Sequence, residues 1–272
     1  MVIQHNIAAI NSYRNLSTNQ NALSKNLEKL SSGYKINRAG DDAAGLAISE
    51  TMRSQINGLN QAVNNANDAI GLIQTAEGAM TETHSMLQRM KTLSTQAANG
   101  TYTEAARKNI QSEIDALNSE ITRIASTTEF NGEKPLSNGG KNLTFFIGAS
   151  SDKTNAMTVG QQNMTADALK VKAITVKTTT QAFQAMKAVD DAITTVSIYR
   201  AQLGAAQNRL EHTVNNLKVT SENITSAESR IRDTDMADEI TAYTKNNILL
   251  QAAQSMLSQS NAMPQGVLSM LQ

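Results

Sequence analysis

The 272-residue sequence has no cysteine and no tryptophan, only two prolines, and just four phenylalanines and five tyrosines. Without cysteine there can be no disulfide framework, thiolate zinc site or cysteine nucleophile. Its 24 basic and 24 acidic side chains cancel to a formal charge of zero. No basic field is therefore available to hold a nucleic-acid backbone, and no cationic surface to draw the chain to an anionic membrane. The shortage of aromatics withholds the largest core side chains, and two prolines leave few places where a helix is forced to stop. Long helices are the leading expectation.

Other signatures are missing as well. The three histidines, His5, His84 and His212, form neither an HExxH pair nor a cluster at metal-ligand spacing, and no phosphate-cradling glycine loop or GxSxG elbow is found. The chain is read as no enzyme, with no cofactor and no metal. Asn, Gln and Ser interrupt every apolar stretch well before a membrane span could form, and Met1 to His5 lacks the basic start of a secretory signal. Asp41-Asp42 reads as a helix N-cap favoured by the helix dipole rather than a carboxylate pair.

What the sequence does contain is heptad periodicity. Met52, Ile56, Leu59, Val63, Ala66, Ile70, Ile73, Glu77, Met80, His84 and Leu87 alternate steps of four and three, with only Glu77 and His84 polar. Ile110, Ile114, Leu117, Ile121 and Ile124 repeat the pattern after an Asn99-Gly100 turn signal. The longest seam runs from Met186 through Val189, Ile193, Val196, Leu203, Leu210, Val214, Leu217 and Ile224 to Ile231, with Arg200, Gln207, Ser221 and Glu228 as polar exceptions. A single helix over residues 45–98 would be roughly 80 Å long, against about 50 Å for a compact globule of this size, so the spacing predicts a rod.

Between the helical halves, Asn131-Gly132, Pro135 and Asn138-Gly139-Gly140 break the pattern, and Leu143 to Ile147 and Val171 to Val176 are β-prone runs. The predicted fold is mainly α: an elongated rod of long antiparallel helices, a coiled-coil-like bundle, with a small β-rich insertion at about 131–180 and the N- and C-terminal helices paired. Two domains are expected, a terminal helical coiled coil from residues 1–42 and 233–272, and a rod-like helical domain from 43–232.

The two ends are unusual. The first 24 residues contain one charged side chain, Arg14, yet carry Ile3, Ile7, Ile10, Tyr13, Leu16 and Leu23 at helix spacing, continuing to Leu27, Leu30 and Tyr34. The last 27 residues contain no charged side chain and still offer Ile248, Leu249, Leu250, Met256, Leu257, Met263, Val267, Leu268 and Leu271. A fully buried Leu or Ile contributes roughly 1.5–3 kcal/mol. One partner helix covers only one stripe of each end, so these residues point to self-assembly or insertion into a larger bundle.

The run SSGYKINRAGDDAAGLAIS at Ser31–Ser49 resembles the N-terminal motif of the bacterial flagellins. NANDAIGLIQTAEGAM at Asn65–Met80, EFNG at Glu129–Gly132, RAQLGAAQNRLEHTVNNL at Arg200–Leu217, ESRIRDTDMADE at Glu228–Glu239 and the ending from Gln251 through Pro264 to Leu271 resemble the same family. The resemblance spans residues 1–132 and 183–272 and implies a short flagellin without the outer variable domains. Its implied function is a structural subunit that polymerises into the flagellar filament for swimming motility. The alternatives are a flagellin-related hook-filament junction protein or a secreted adhesin.

By the same resemblance the terminal helices form the filament core, with Ile7, Ile10, Leu16, Leu23, Leu27, Leu30, Leu249, Leu250, Leu257, Val267, Leu268 and Leu271 as packing residues. The stretches around Arg38 to Asp42 and Arg230 to Asp235 would connect inner and outer layers. The implied partners are other copies of the chain, a flagellar export chaperone, the filament cap and hook-junction proteins. The implied location is extracellular, after export by the flagellar type III apparatus. The segment Leu87–Gln96 resembles the helix that Toll-like receptor 5 recognises on flagellins, which implies Gln88, Arg89, Leu93, Gln96 and Glu113 as receptor contacts, with Leu93 partly exposed.

Overall fold

The computed structural model describes residues 6–137, 139–150 and 152–270, without the side chains of 264, 265 and 267–270. It is mainly α, as the heptads require. The elements are α1 (Ile7–Ser32), α2 (Ala43–Ala98), α3 (Glu104–Thr127), β1 (Asn142–Phe146), a 3-10 turn at Lys153–Asn155, β2 (Ala156–Gly160), α4 (Thr179–Arg232) and α5 (Met236–Met270). They fall into two compact units, Met1–Ser54 with Glu222–Gln272, and Gln55–Ser221.

In the first unit α1 and α5 pair antiparallel. At one end the Asn6 side chain donates to the Ser260 carbonyl at 2.8 Å, and at the other the Lys29 ammonium lies 3.9 Å from the Glu239 carboxylate. Local chemistry sets the helix ends. The Asn6 side chain accepts from the Ala9 amide at 3.1 Å and caps α1. Gly33, at φ 76°, closes it in the left-handed conformation with its N–H on the Lys29 carbonyl. Asp42 caps α2 by accepting from the Gly45 amide at 2.9 Å, as the Asp41-Asp42 reading expected. A Cβ at Gly45 would stand 2.5 Å from the Asp42 carboxylate and 2.7 Å from the Ile36 methyl, so any larger residue there must displace the capping carboxylate and the Ile36 side chain.

In the second unit α2 and α4 run antiparallel, marked by Glu77–Arg200 at 3.4 Å and Lys91–Asp190 at 2.6 Å. Helix α3 folds back on α2, and its Arg107 caps the C-terminal end of α2, the guanidinium donating to the Ala97 and Asn99 carbonyls. The expected seam on α2 is buried at Leu59, Ala66, Ile73, Met80 and Leu87 but only half-buried at Val63, Ile70, Glu77 and His84. Beside it runs a second stripe at seven-residue intervals, Ala62, Ala69, Ala76, Thr83, Met90 and Ala97, all nearly inaccessible. One narrow seam suffices for one partner helix, whereas α2 has both α3 and α4 against it.

On α4 the seam departs from the expected one at alternate positions. Val189, Val196, Leu203, Leu210 and Leu217 are buried as expected, but Ala185, Ala192, Tyr199 and Ala206 fill the intervening places rather than Met186, Ile193, Arg200 and Gln207. Arg200 and Gln207 therefore lie on the flank of the seam, where Arg200 reaches Glu77 and Gln207 donates to Glu211. Tyr199 is buried with its hydroxyl on the Gly160 carbonyl at 3.4 Å, and burial pushes its phenol above the ordinary value.

The β-rich insertion is one antiparallel pair, with Asn142 opposite Gly160 and Phe146 opposite Ala156. The first β-prone run is thus a strand. The second, Val171 to Val176, is not: α3 holds it by side chains instead. Gln111 donates to the Ile174 carbonyl at 3.0 Å and accepts from the Val176 amide at 2.8 Å, and Asn118 donates to the Val171 carbonyl. Those bonds satisfy the backbone groups that a neighbouring strand would otherwise take. The true second strand, AMTVG, alternates Met157 and Val159 inward.

Candidate functional site

The seam between α1 and α5 is strongly polar for a helix pair. Leu16, Leu23 and Leu30 share it with Asn19 and Asn26, and Leu250 and Leu257 share it with Asn246 and Ser260; the leucines are half-buried. Asn26 is only 9% exposed. With its amide oriented to suit its neighbours, it donates to the Glu239 carboxylate at 3.0 Å and accepts from the Asn246 side chain at 2.9 Å. A buried polar contact of this kind is matched in only one register, because any slide leaves amides unpaired.

The outward faces of the same helices carry many exposed apolar side chains among polar ones. Ile7 is 63% and Ile10 54% exposed, and Tyr13, Leu27, Ile240, Ile248, Leu249, Met256 and Met263 are also exposed. The packing residues read from sequence therefore divide. Leu16, Leu23, Leu30, Leu250 and Leu257 serve the α1–α5 seam, while Ile7, Ile10, Leu27 and Leu249 face outward. The side chains of Val267, Leu268 and Leu271 lie outside the described residues. Among the described residues nothing covers these apolar side chains, and exposure of that kind marks a protein-binding surface.

Where the chain passes between α1 and α2, and again between α4 and α5, the two strands of backbone are tied together. The Lys35 amide donates to the Arg232 carbonyl at 2.6 Å and the Thr234 amide to the Gly33 carbonyl at 3.0 Å. Arg232 also stacks on the Tyr34 ring and bonds Glu50 at 2.7 Å. Sequence reasoning marked these segments but not this tie; Tyr34 and Arg232 are 198 positions apart by their numbers, so no local pattern reports it. Asp41 closes the adjacent turn by accepting from the Arg38 amide at 3.1 Å and the Asn37 amide at 3.3 Å. Those backbone hydrogen bonds hold its carboxyl below the usual carboxylate range.

The second candidate surface lies on α2 and α3. Arg89 bonds Glu113 at 2.8 Å, both side chains exposed. Gln88 is exposed and lies 3.0 Å from the His84 ring, and Gln96 donates to the Tyr102 hydroxyl at 2.8 Å. Leu93 is not at the surface as expected: it is 2% exposed and belongs to the core. It follows Met90 by three residues and so continues the buried stripe as the helix turns. Four of the five residues therefore lie at the surface.

Comparison with known proteins follows the same division. The profile described as the bacterial flagellin N-terminal helical region matches residues 3–141, and that of the bacterial flagellin C-terminal helical region matches residues 186–271. Between these matches lie β1, β2 and the segment pinned to α3. The chain is similar to the flagellin of Bacillus subtilis, at 51% identity over 305 residues covering all of both chains. It is also similar to the flagellin of Halalkalibacterium halodurans, at 48% identity, again with full coverage of both. Among solved structures, the crystal structure of Bacillus cereus flagellin matches with a TM-score of 0.51 and 30% identity, covering 61% of this chain and 94% of that one.

Proposed function

The chain belongs to the bacterial flagellin family, and from that premise we propose that the outward apolar faces of α1 and α5 are the surfaces by which its copies join. Flagellins are structural proteins rather than enzymes, and they polymerise into the extracellular flagellar filament. What carries the reading for this chain is the arrangement of the helix pair, with polar side chains in its seam and Ile7, Ile10, Ile248 and Leu249 outside. Residues 1–42 and 233–272 form the filament core in this proposal, and residues 43–232 the layer around it. A head-to-tail contact repeated without closing generates a helical filament. Export by the flagellar type III apparatus, an export chaperone, the filament cap and hook-junction proteins complete the proposed partners.

The deciding experiment is seeded polymerisation of purified chain, viewed by electron microscopy. Intact chain should extend seeds, and chain lacking residues 246–272 should not. Intact chain that never extends a seed would overturn the proposal in favour of a junction protein or adhesin.

We further propose that Toll-like receptor 5 contacts the surface formed by Gln88, Arg89, Gln96 and Glu113, with the buried Leu93 supporting the helix beneath. An exposed arginine already oriented by Glu113 suits an interface anchor. Arg89→Ala should weaken receptor binding by the free subunit by about tenfold or more, and unchanged affinity would overturn this assignment.

A further inference from the structure

We propose that Met256 and Met263 are oxidation-sensitive sites and that their conversion to sulfoxides blocks addition of the subunit to a growing filament. The inference rests on the reading of the α1–α5 faces as assembly surfaces and adds a chemical control to them.

The lack of cysteine removes the residue that two-electron oxidants otherwise attack first. Methionine then becomes the leading target, and the structure sorts the methionines sharply. Met80, Met90, Met157 and Met164 are buried in the core of the second unit, whereas Met236 is 46%, Met256 63% and Met263 51% exposed. Of these three, Met256 and Met263 belong to the terminal segment that carries no charge, while Met236 stands at the start of α5 between Asp235 and Asp238. Met256 also lines the groove between α1 and α5, with Leu249 on its own helix and Ser12 and Asn19 on the other.

The chemistry needs a peroxide. Its O–O bond breaks, one oxygen atom is transferred to the thioether sulfur, which loses two electrons to become the sulfoxide, and the peroxide is reduced to water or, for an organic peroxide, to the alcohol. A flexible apolar side chain is thereby replaced by one carrying a strong acceptor. Turned inward, that oxygen can bond the Ser12 hydroxyl or the Asn19 amide, and the side chain is withdrawn from any incoming copy. Turned outward, it places an unpaired acceptor in an apolar contact, which is unfavourable. Either way the assembling face loses complementarity. Once a neighbour covers α5 the same sulfurs become inaccessible, so the filament is protected and the free subunit is not.

The test treats free subunits and assembled filaments with hydrogen peroxide and maps each methionine by peptide mass spectrometry. In free subunits Met256 and Met263 should gain oxygen at least about tenfold faster than Met80 or Met90, following their exposure. In filaments that difference should disappear. Treated subunits should fail to extend seeds, and incubation with both epimer-specific methionine sulfoxide reductases should restore extension. The Met256→Leu/Met263→Leu double variant should extend seeds equally before and after peroxide. Equal oxidation of buried and exposed methionines, treated wild-type subunits that extend seeds normally, or a reductase that fails to restore them would each overturn the proposal. Untreated chain that does not extend seeds would instead overturn the assembly reading on which it rests.

Discussion

The Arg232 guanidinium sits 4.7 Å from the centre of the Tyr34 ring while one of its nitrogens bonds the Glu50 carboxylate at 2.7 Å. Its backbone carbonyl at the same time accepts from the Lys35 amide. One residue of α4 thus holds both the segment leaving α1 and the start of α2. Lysine has neither the flat face for the ring nor the fixed fork for the carboxylate. Arg232→Lys should destabilise the crossing by about 1 kcal/mol, read as faster amide exchange at Lys35 and Thr234. Unchanged exchange at both amides would refute this.

At the α1–α5 seam, Asn26→Ala removes the partner of Glu239 and Asn246 and leaves a charged and an amide group poorly satisfied. The pairing should weaken by about 1–3 kcal/mol. Hydrogen exchange should rise along residues 7–32 and 236–263 and stay constant at core positions such as Ile73 and Ile121. An equal rise at those core positions would show the effect to be global rather than local.

Asp41 introduces a pH dependence with a definite sign. Its folded carboxyl is held below the ordinary value by the Arg38 and Asn37 amides. The turn's stabilisation is therefore complete above the ordinary carboxylate value and is lost as pH falls through the lowered folded value. Protection of the Asn37 and Arg38 amides should drop in acid, and Asp41→Asn should have lost it already at neutral pH. Protection that persists unchanged in strong acid would count against the assignment.

Gln111 is the anchor of the segment between β2 and α4. Gln111→Ala strands the Ile174 carbonyl and Val176 amide inside the protein, and should cost about 2–4 kcal/mol in urea unfolding of the second unit. Gln111→Glu keeps the acceptor for the Val176 amide but loses the donor, so it should recover only part of that stability.

The helices were legible because heptads are local and redundant. The span of α2 and the site of the Asn99-Gly100 turn could be read directly from residue spacing. The paired ends were legible too, since apolar residues at helix spacing in charge-poor segments call for a covering helix. What escaped depends on partners distant in sequence. Val171 to Val176 has strand composition, but Gln111 and Asn118 satisfy its backbone. Leu93 is expected at the surface only through the resemblance of its segment to a receptor-recognised helix, and such a resemblance does not show how wide a face α2 buries. Asn26 sits at heptad spacing with Leu23 and Leu30, but nothing local to it names Glu239 and Asn246 as its partners.

The stripe Ala62, Ala69, Ala76, Thr83, Met90 and Ala97 restricts how this molecule can change in length. One residue added in the middle of α2 would turn everything beyond it by about 100°, carrying the small side chains away from α3 and α4 and bringing polar ones inward. Only steps close to seven residues, matched on the facing helix, restore the fit. The irregular stretch 128–178 has no such periodicity. Insertions and deletions should accumulate there, while the helices keep their count.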